Sequence, residues 1–385
     1  MPPQARRGRR ATRWRPIHRR ASRCARLPAA PACAAPPPRG ARARWRAAHD
    51  EIGRIAPARF TWTDGERTIH FGRDVLAGVL ASLPGGYALL TTPRASAMAP
   101  AVAERAGAVH EVARGRVDVL AGELLDAVDP GVLIVALGGG RIIDTAKALA
   151  AARPPGCDRP RVAAIPTTLS AAEMTGGHRR AAGADSTLPG VRPAIVVNDP
   201  ALSASQPPAG LAASAANALG HAAEGPATRR ASPVPALAGA EAARLIDAAY
   251  AGVDSNANAE PDRDALALAA LLSGYTIDST GYGLHHVLSQ TLARFAGVGH
   301  GPSNAVMLPH TLVALERRGA PAAGELVDLA TDLARRAQGS RLRDLGVDGA
   351  TLDTCADIAS ERPDLDNIPP RPDRDELRAL YAAAY

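Results

Sequence analysis

Two groups of residues in this 385-residue chain have the types and spacing of chemistry: the triplet Gly138-Gly139-Gly140 with Asp144 and Lys147 behind it, and the histidines His221, His286 and His300. The triplet follows the apolar run Val132 to Leu137, a pattern that predicts a buried strand, a tight turn and the first turn of a helix. The free N–H groups of such a turn attract phosphate, which makes it a dinucleotide corner. Side chains there would hold a pyrophosphate away from the amides, and the turn is expected to need positive φ. The G-x-G-x-x-G spacing is absent, so by itself the triplet also reads as a plain structural turn. Asn217 and His221 stand four apart in a helical pattern and so share a face. His286 lies in another helix, and His300 falls in Gly299-His300-Gly301, read as a flexible turn. Three imidazoles so placed suit a divalent metal, or they polarise a substrate carbonyl and deliver protons.

These residues must be positioned by elements that the pattern predicts in two styles. A hairpin is expected from Phe60-Thr61-Trp62 and Thr68 to Phe71 across Asp64-Gly65. Strands at 87–91, 109–112, 132–137, 162–165 and 194–197 alternate with helices at 95–106, 117–128 and 141–152. Such alternation implies a parallel sheet with helices on both faces and ligands at the strands' carboxyl ends. From about residue 208 the pattern turns helical, at 209–223, 235–250, 262–279, 284–295, 303–317 and 324–338. The expected organisation is an extension over 1–56, an α/β dinucleotide-binding domain over 57–208 and a helical catalytic domain over 209–385.

Composition bears on partners. The chain carries +7, but residues 1–50 hold fourteen arginines and a single acid, so that stretch carries +13 and the remainder −6. The basic stretch is rich in Arg, Ala and Pro without apolar periodicity, and reads as disorder rather than as a nucleic-acid site. Nothing approaches eighteen consecutive apolar residues, so no membrane span is expected. Cys24, Cys33, Cys157 and Cys355 form no C-x-x-C pair, which speaks for a reducing compartment and against a thiolate zinc site.

Taken in order, Gly138-Gly139-Gly140 with Asp144 and Lys147, Pro166-Thr167-Thr168-Leu169-Ser170 with Glu173-Met174-Thr175, Asn217 to Glu224, and Gly283-Leu284-His285-His286 with His300 resemble the group III iron-containing alcohol dehydrogenases. That resemblance implies a nucleotide-binding α/β domain plus an all-α domain, the dehydroquinate synthase-like or iron-containing alcohol dehydrogenase fold, with NADH or NADPH between them. It places the cofactor on Gly138, Gly139, Gly140, Asp144, Thr167 and Thr168, with Thr92 and Arg94 at the next strand end, where Arg94 would take a 2′-phosphate. Metal-dependent members use an Asp and three His where this chain has Asn217, His221, His286 and His300. The neutral amide of Asn217 removes the anionic ligand and weakens a hard-ion site. Asn217, Leu169-Ser170 and the Gly-Leu-His-His run are similar to the maleylacetate reductase branch, which is regarded as metal-free and reduces maleylacetate to 3-oxoadipate. The alternative is an alcohol dehydrogenase of small alcohols or aldehydes holding Fe2+ or Zn2+ on His221, His286 and His300. Gln290 stands where the family usually has histidine, Arg141 replaces serine, and His178, Arg179 and Arg180 could serve a dicarboxylate. The resemblance further implies a cytoplasmic homodimer acting in aromatic-compound catabolism on a small dicarboxylate or aldehyde.

Overall fold

Short β-branched runs, each bounded by Gly, Pro or polar residues, cannot bury themselves alone and collect into one sheet. The computed structural model describes residues 59–152, 161–185, 187, 189–253, 260–320 and 322–385. The extension expected over 1–56 lies outside the described residues, as do Cys24, Cys33 and Cys157. The strands are β1 (Phe60–Asp64), β2 (Arg67–Phe71), β3 (Tyr87–Thr91), β4 (Ala106–Glu111), β5 (Ile134–Gly138), β6 (Val162–Pro166) and β7 (Ile195–Asn198). Among the described residues they form a seven-stranded sheet in the order β1-β2-β7-β6-β5-β3-β4. Only the β1–β2 pairing is antiparallel. Its two-residue turn is Gly65-Glu66, one residue later than the sequence suggests, because Gly65 at φ 58° is the position that needs a glycine. The chain steps from β3 outward to β4 and then returns to β5 on the other side of β3. Ligands in such sheets bind where the strand order reverses, here the carboxyl ends of β3 and β5.

Helices on the sheet's faces are α1 (Val75–Ser82), α2 (Pro93–Met98), α3 (Pro100–Glu104), α4 (Val117–Glu123) and α5 (Gly140–Ala151). The single helix expected over 95–106 is split, since Pro100 has no amide to continue α2. Every residue of β5 is buried, and its side chains alternate between two cores. Val135 and Leu137 pack with Val79, Leu89 and Ile165, while Ile134 and Ala136 pack with Ile143, Ala146 and Leu149.

The second half is helical as expected: α6 (Pro208–Glu224), α7 (Pro233–Ala249), α8 (Arg263–Thr280), α9 (Leu284–Phe295), α10 (His300–Arg317), α11 (Val327–Arg336), α12 (Thr351–Ser360) and α13 (Arg374–Ala384). Helix α6 lies at its centre against α7, α8, α10 and α11. Alanines 212, 213, 215, 216, 218, 222 and 223 keep its surface thin, so neighbours approach closely. A Cβ on Gly239 of α7 would stand 2.7 Å from the Ala222 carbonyl. The loop after β6 is clasped to this half. Gly176 N–H donates to Asp278 Oδ1 at 2.8 Å, and a Cβ on Gly274 would lie 2.7 Å from Met174. Among the described residues no helix is long and apolar enough to cross a membrane.

The turn from β5 to α5 is closed to side chains. A Cβ on Gly138 would stand 2.6 Å from Ile142 Cγ1 and 2.9 Å from its Cβ, both on the first turn of α5. Gly138→Ala is expected to cost about 1–3 kcal/mol, the usual penalty for forcing a methyl group into a packed interior, read as a lowered midpoint of thermal or urea unfolding.

Candidate active site

The glycine turn between β5 and α5 forms where the sequence places it, for a different local reason. Gly139 caps α5 at φ −79°, so positive φ is not what demands glycine at 139 and 140. Contact demands it: a Cβ on Gly139 would sit 3.1 Å from Thr168, and one on Gly140 would sit 3.0 Å from Ser170. Thr168 and Ser170 thus line the turn, and Thr167, buried, donates its amide to the Gly138 carbonyl at 3.0 Å. Thr91 Oγ1 donates to the Leu137 carbonyl at 2.9 Å, tying β3 to β5 at the point of reversal. Thr92 spends its hydroxyl on the Ala95 amide at 3.2 Å, capping α2. Arg94 is exposed and touches the Ser205 carbonyl at 3.2 Å. Asp144, one turn into α5, pairs with Lys147 Nζ at 2.8 Å and stays part-exposed. Lys147 is sealed, and also donates to the Ala172 and Gly177 carbonyls at 2.9 Å each. It stitches the loop after β6 onto α5.

The imidazoles are built on a buried carboxylate. Glu224, three residues past His221 on α6, reaches the start of α9 and accepts the N–H groups of Gly283 (2.9 Å), His285 and His286 (3.3 Å). It accepts His286 Nδ1–H as well, at 2.9 Å. Burial raises the Glu224 pKa and the backbone N–H groups lower it. Four donors leave no acceptor for a carboxyl proton, so the group is read as a carboxylate. With Nδ1 committed, His286 presents Nε2 as a lone pair, and that atom is buried without a partner. His221 stacks on His286 at 4.6 Å between centroids, and Tyr282 stacks on it at 5.0 Å. Two rings cannot share one face, so His286 is held between them. His221 Nδ1 and Asn217 Oδ1 are likewise buried without hydrogen-bond partners.

His300 departs from the expected flexible turn, because it is the first residue of α10. Asn304, one turn on, faces its amide nitrogen to the His300 carbonyl at 2.8 Å and to Nε2 at 3.2 Å, while its oxygen takes Ser289 Oγ at 2.9 Å. The carbonyl contact fixes that orientation, since two acceptors would not share 2.8 Å. Nε2 therefore accepts, the His300 proton sits on Nδ1, and the residue is exposed. Burial depresses His286 to about 3 and His221 well below its usual value; His300, whose residue keeps solvent exposure, is also lowered by the protein packed around its ring, with the Asp144 charge acting in opposition. The sites are neutral at physiological pH. Tyr282, stacked on His286, lies 3.9 Å from where a Cβ on Gly177 would sit, and the Gly177 carbonyl accepts Lys147 of α5, so the loop after β6 joins the glycine turn to the imidazoles.

Several residues lie elsewhere than expected. His178 donates through Nδ1 to the Arg179 carbonyl at 2.7 Å and accepts the Val191 amide on Nε2 at 3.1 Å, so its own loop uses both nitrogens. His285 turns away, its Nδ1 3.0 Å from Thr311 Oγ1 and its ring filling the space that Gly220 leaves open. Glu224, Tyr282 and Asn304 were not singled out by pattern. Glu224 had a signal, one helical turn past His221, and Asn304 would have shown the same spacing had α10 been read from His300. A resident metal does not fit. The near-parallel His221 and His286 rings, 18° apart, cannot aim lone pairs at one point, and Asn217 is uncharged. Among the described residues no three His, Cys, Asp or Glu side chains are grouped to hold an ion.

Comparison with known proteins agrees with this architecture. Residues 211–385 match the model of the Fe-containing alcohol dehydrogenase family, C-terminal. The maleylacetate reductase of Rhizobium sp. (strain MTP-10005) is 29% identical over 360 residues, covering 85% of this chain and 97% of that one. Maleylacetate reductase 1 of Cupriavidus pinatubonensis is 33% identical over 272 residues, covering 66% and 73%. The crystal structure of the maleylacetate reductase from Agrobacterium tumefaciens superposes with a TM-score of 0.69 at 28% identity, covering 85% of this chain and 98% of that one. The chain belongs to the iron-containing alcohol dehydrogenase family, alongside its maleylacetate reductases.

Proposed function

We propose that this protein is an NAD(P)H-dependent reductase of maleylacetate, saturating the double bond conjugated to the ketone and yielding 3-oxoadipate. Residues 57–208 serve as the dinucleotide-binding domain and 209–385 as the catalytic domain, in a cytoplasmic homodimer of aromatic-compound catabolism. The observation that carries the reading is the wall shared by the glycine corner and the imidazoles: Lys147, paired with Asp144, donates to the Gly177 carbonyl, and Tyr282, which stacks on His286, lies 3.9 Å from where a Cβ on Gly177 would sit. A cofactor at one end and a polarising group at the other are the requirements of hydride transfer to an electron-poor carbon.

The N-terminal amides of α5 and the side-chain-free surface of Gly139 and Gly140 bind the pyrophosphate, with Asp144, Thr167 and Thr168 near the ribose and nicotinamide. Exposed Arg94 can meet a 2′-phosphate, so NADPH serves as well as NADH. Bound nicotinamide supplies the hydride. His300 offers Nδ1–H to the ketone oxygen as it becomes an enolate, and a neutral imidazole suffices for that task. Water reaches exposed His300 and supplies the proton for the α-carbon. His286, with its lone pair inward, accepts from a hydrated or hydroxylic group and does not stabilise the enolate. Tyr282 covers one face of His286 and fixes its ring.

A second reading, a metal-dependent alcohol dehydrogenase, starts from the unpartnered Asn217 Oδ1, His221 Nδ1 and His286 Nε2 and requires the stacked His221 and His286 rings to turn out of parallel before these atoms could meet one ion. The two part company in one experiment, following loss of NADH and NADPH with maleylacetate and with a panel of aldehydes, with and without chelator. Maleylacetate turnover that survives chelation is expected. Turnover of aldehydes alone, lost together with stoichiometric iron or zinc, would overturn the proposal.

His300→Ala is expected to lower kcat by about 10²- to 10³-fold, the cost of one oxyanion donor, while cofactor fluorescence on binding stays unchanged. Stability should depend on acid. His285 and His286, held near 3 when folded and at their usual 6.5 when unfolded, bind more protons in the unfolded chain between those values. Stability is therefore full above pH 6.5 and falls as pH drops toward 3, by up to about 1.4 kcal/mol per pH unit for each histidine. Urea midpoints measured from pH 8 to pH 4 check the sign.

A further inference from the structure

Helix α9 carries His286, Gln290 and Arg294 at intervals of four, so the three occupy one stripe that begins at the imidazoles. Gln290, in the place of the family's usual histidine, accepts Arg362 Nη2 on Oε1 at 3.0 Å. Arg362 is also bidentate to Asp364 Oδ2, at 3.0 and 2.7 Å, and its Nη1 is buried with no partner. One turn further, Arg294 is exposed and has no hydrogen bond or ion pair among the described residues. Its guanidinium is held below its ordinary pKa by burial, then by the charges of Arg179 and Arg362, with Arg116 weaker and Asp364 opposing. Asp118, the partner of Arg116 at 2.6 Å, is 3.9 Å from Arg179 and so is shared. Arg116 and Arg179 share Asp118 and Arg362 has Asp364, so Arg294 is the guanidinium of this group with no carboxylate partner among the described residues. The Arg294 charge acts on His300, and that of Arg362 on His286.

We propose that Arg294, one helical turn beyond the Gln290 that holds Arg362, is the seat for the substrate carboxylate farther from the reacting double bond, and that Gln290 is a positioning residue that fixes Arg362 behind it. This rests on the reading of the site as a maleylacetate reductase and names which side chains make it select a dianion. A guanidinium fork matches a carboxylate in shape, and an arginine left without a counter-ion among like charges lowers its energy when an anion arrives. The far carboxylate sits on the methylene next to the ketone, so anchoring it leaves the ketone oxygen to His300.

The test uses the whole chain with NAD+ bound. Equilibrium binding of 3-oxoadipate, which keeps both carboxylates, is compared with that of levulinate, which lacks the one assigned to Arg294. Arg294→Gln is expected to weaken 3-oxoadipate by at least about 10-fold, the loss of a charge-assisted hydrogen bond, and to leave levulinate unchanged. Arg294→Lys should restore part of the loss, and the KM for maleylacetate should rise with little change in kcat. Unchanged 3-oxoadipate binding in Arg294→Gln overturns the subsite even if the wild type reduces maleylacetate. So does a variant that weakens NADPH instead, which would make the seat a phosphate site. If binding falls as expected while the wild type fails to reduce maleylacetate, the subsite stands and the proposed function falls.

Discussion

One buried carboxylate organises the catalytic half of this molecule. Glu224 leaves water entirely, a transfer that is tolerable only because four N–H groups meet its two oxygens. Three of those donors are buried amides at the start of α9 that have no carbonyl of their own helix to meet, where the helix dipole favours negative charge. The fourth is a ring nitrogen. A single group thus joins the end of α6 to the beginning of α9 and decides which nitrogen of His286 faces the site. Removing it would leave unpaired amides and free the ring to choose either tautomer.

A comparable device works from the sheet side. Lys147 on α5 gathers Asp144 and the carbonyls of Ala172 and Gly177, so the loop after β6 cannot leave the helix that caps the glycine corner. That same loop is bonded to α8 through Asp278 and packed against Gly274. The spacing between the glycine turn and the imidazoles is therefore set by interior contacts, as the orientation of two reacting groups requires.

The sequence made much of this legible because its signals were strong. An apolar run ending in three glycines predicted β5, the turn and α5 within a residue or two, and helical spacing put Asn217 and His221 on one face. What it hid has physical causes. Glycine was required at 139 and 140 by the side chains of Thr168 and Ser170, a tertiary contact that no local pattern displays. His300 was read as a turn because glycines flank it, whereas Asn304 holds it at a helix start. Tautomers were beyond reach, since they depend on partners such as Glu224 that pattern reading treats as one more polar residue. The periodicity over 95–106 runs on across Pro100, but the missing amide there divides it into α2 and α3.

The thin, alanine-lined surface of α6 has an implication for how such an enzyme diversifies. A helix packed against four neighbours, one of them at near-backbone contact, offers almost no latitude for drift, so the three side chains it contributes, Asn217, His221 and Glu224, are frozen with it. Innovation is then confined to the rim, at the far end of α9 and the segment around Arg362, where side chains meet solvent and replacement is cheap. Lineages sharing this scaffold would be expected to keep the same floor and to swap the collar that chooses what enters.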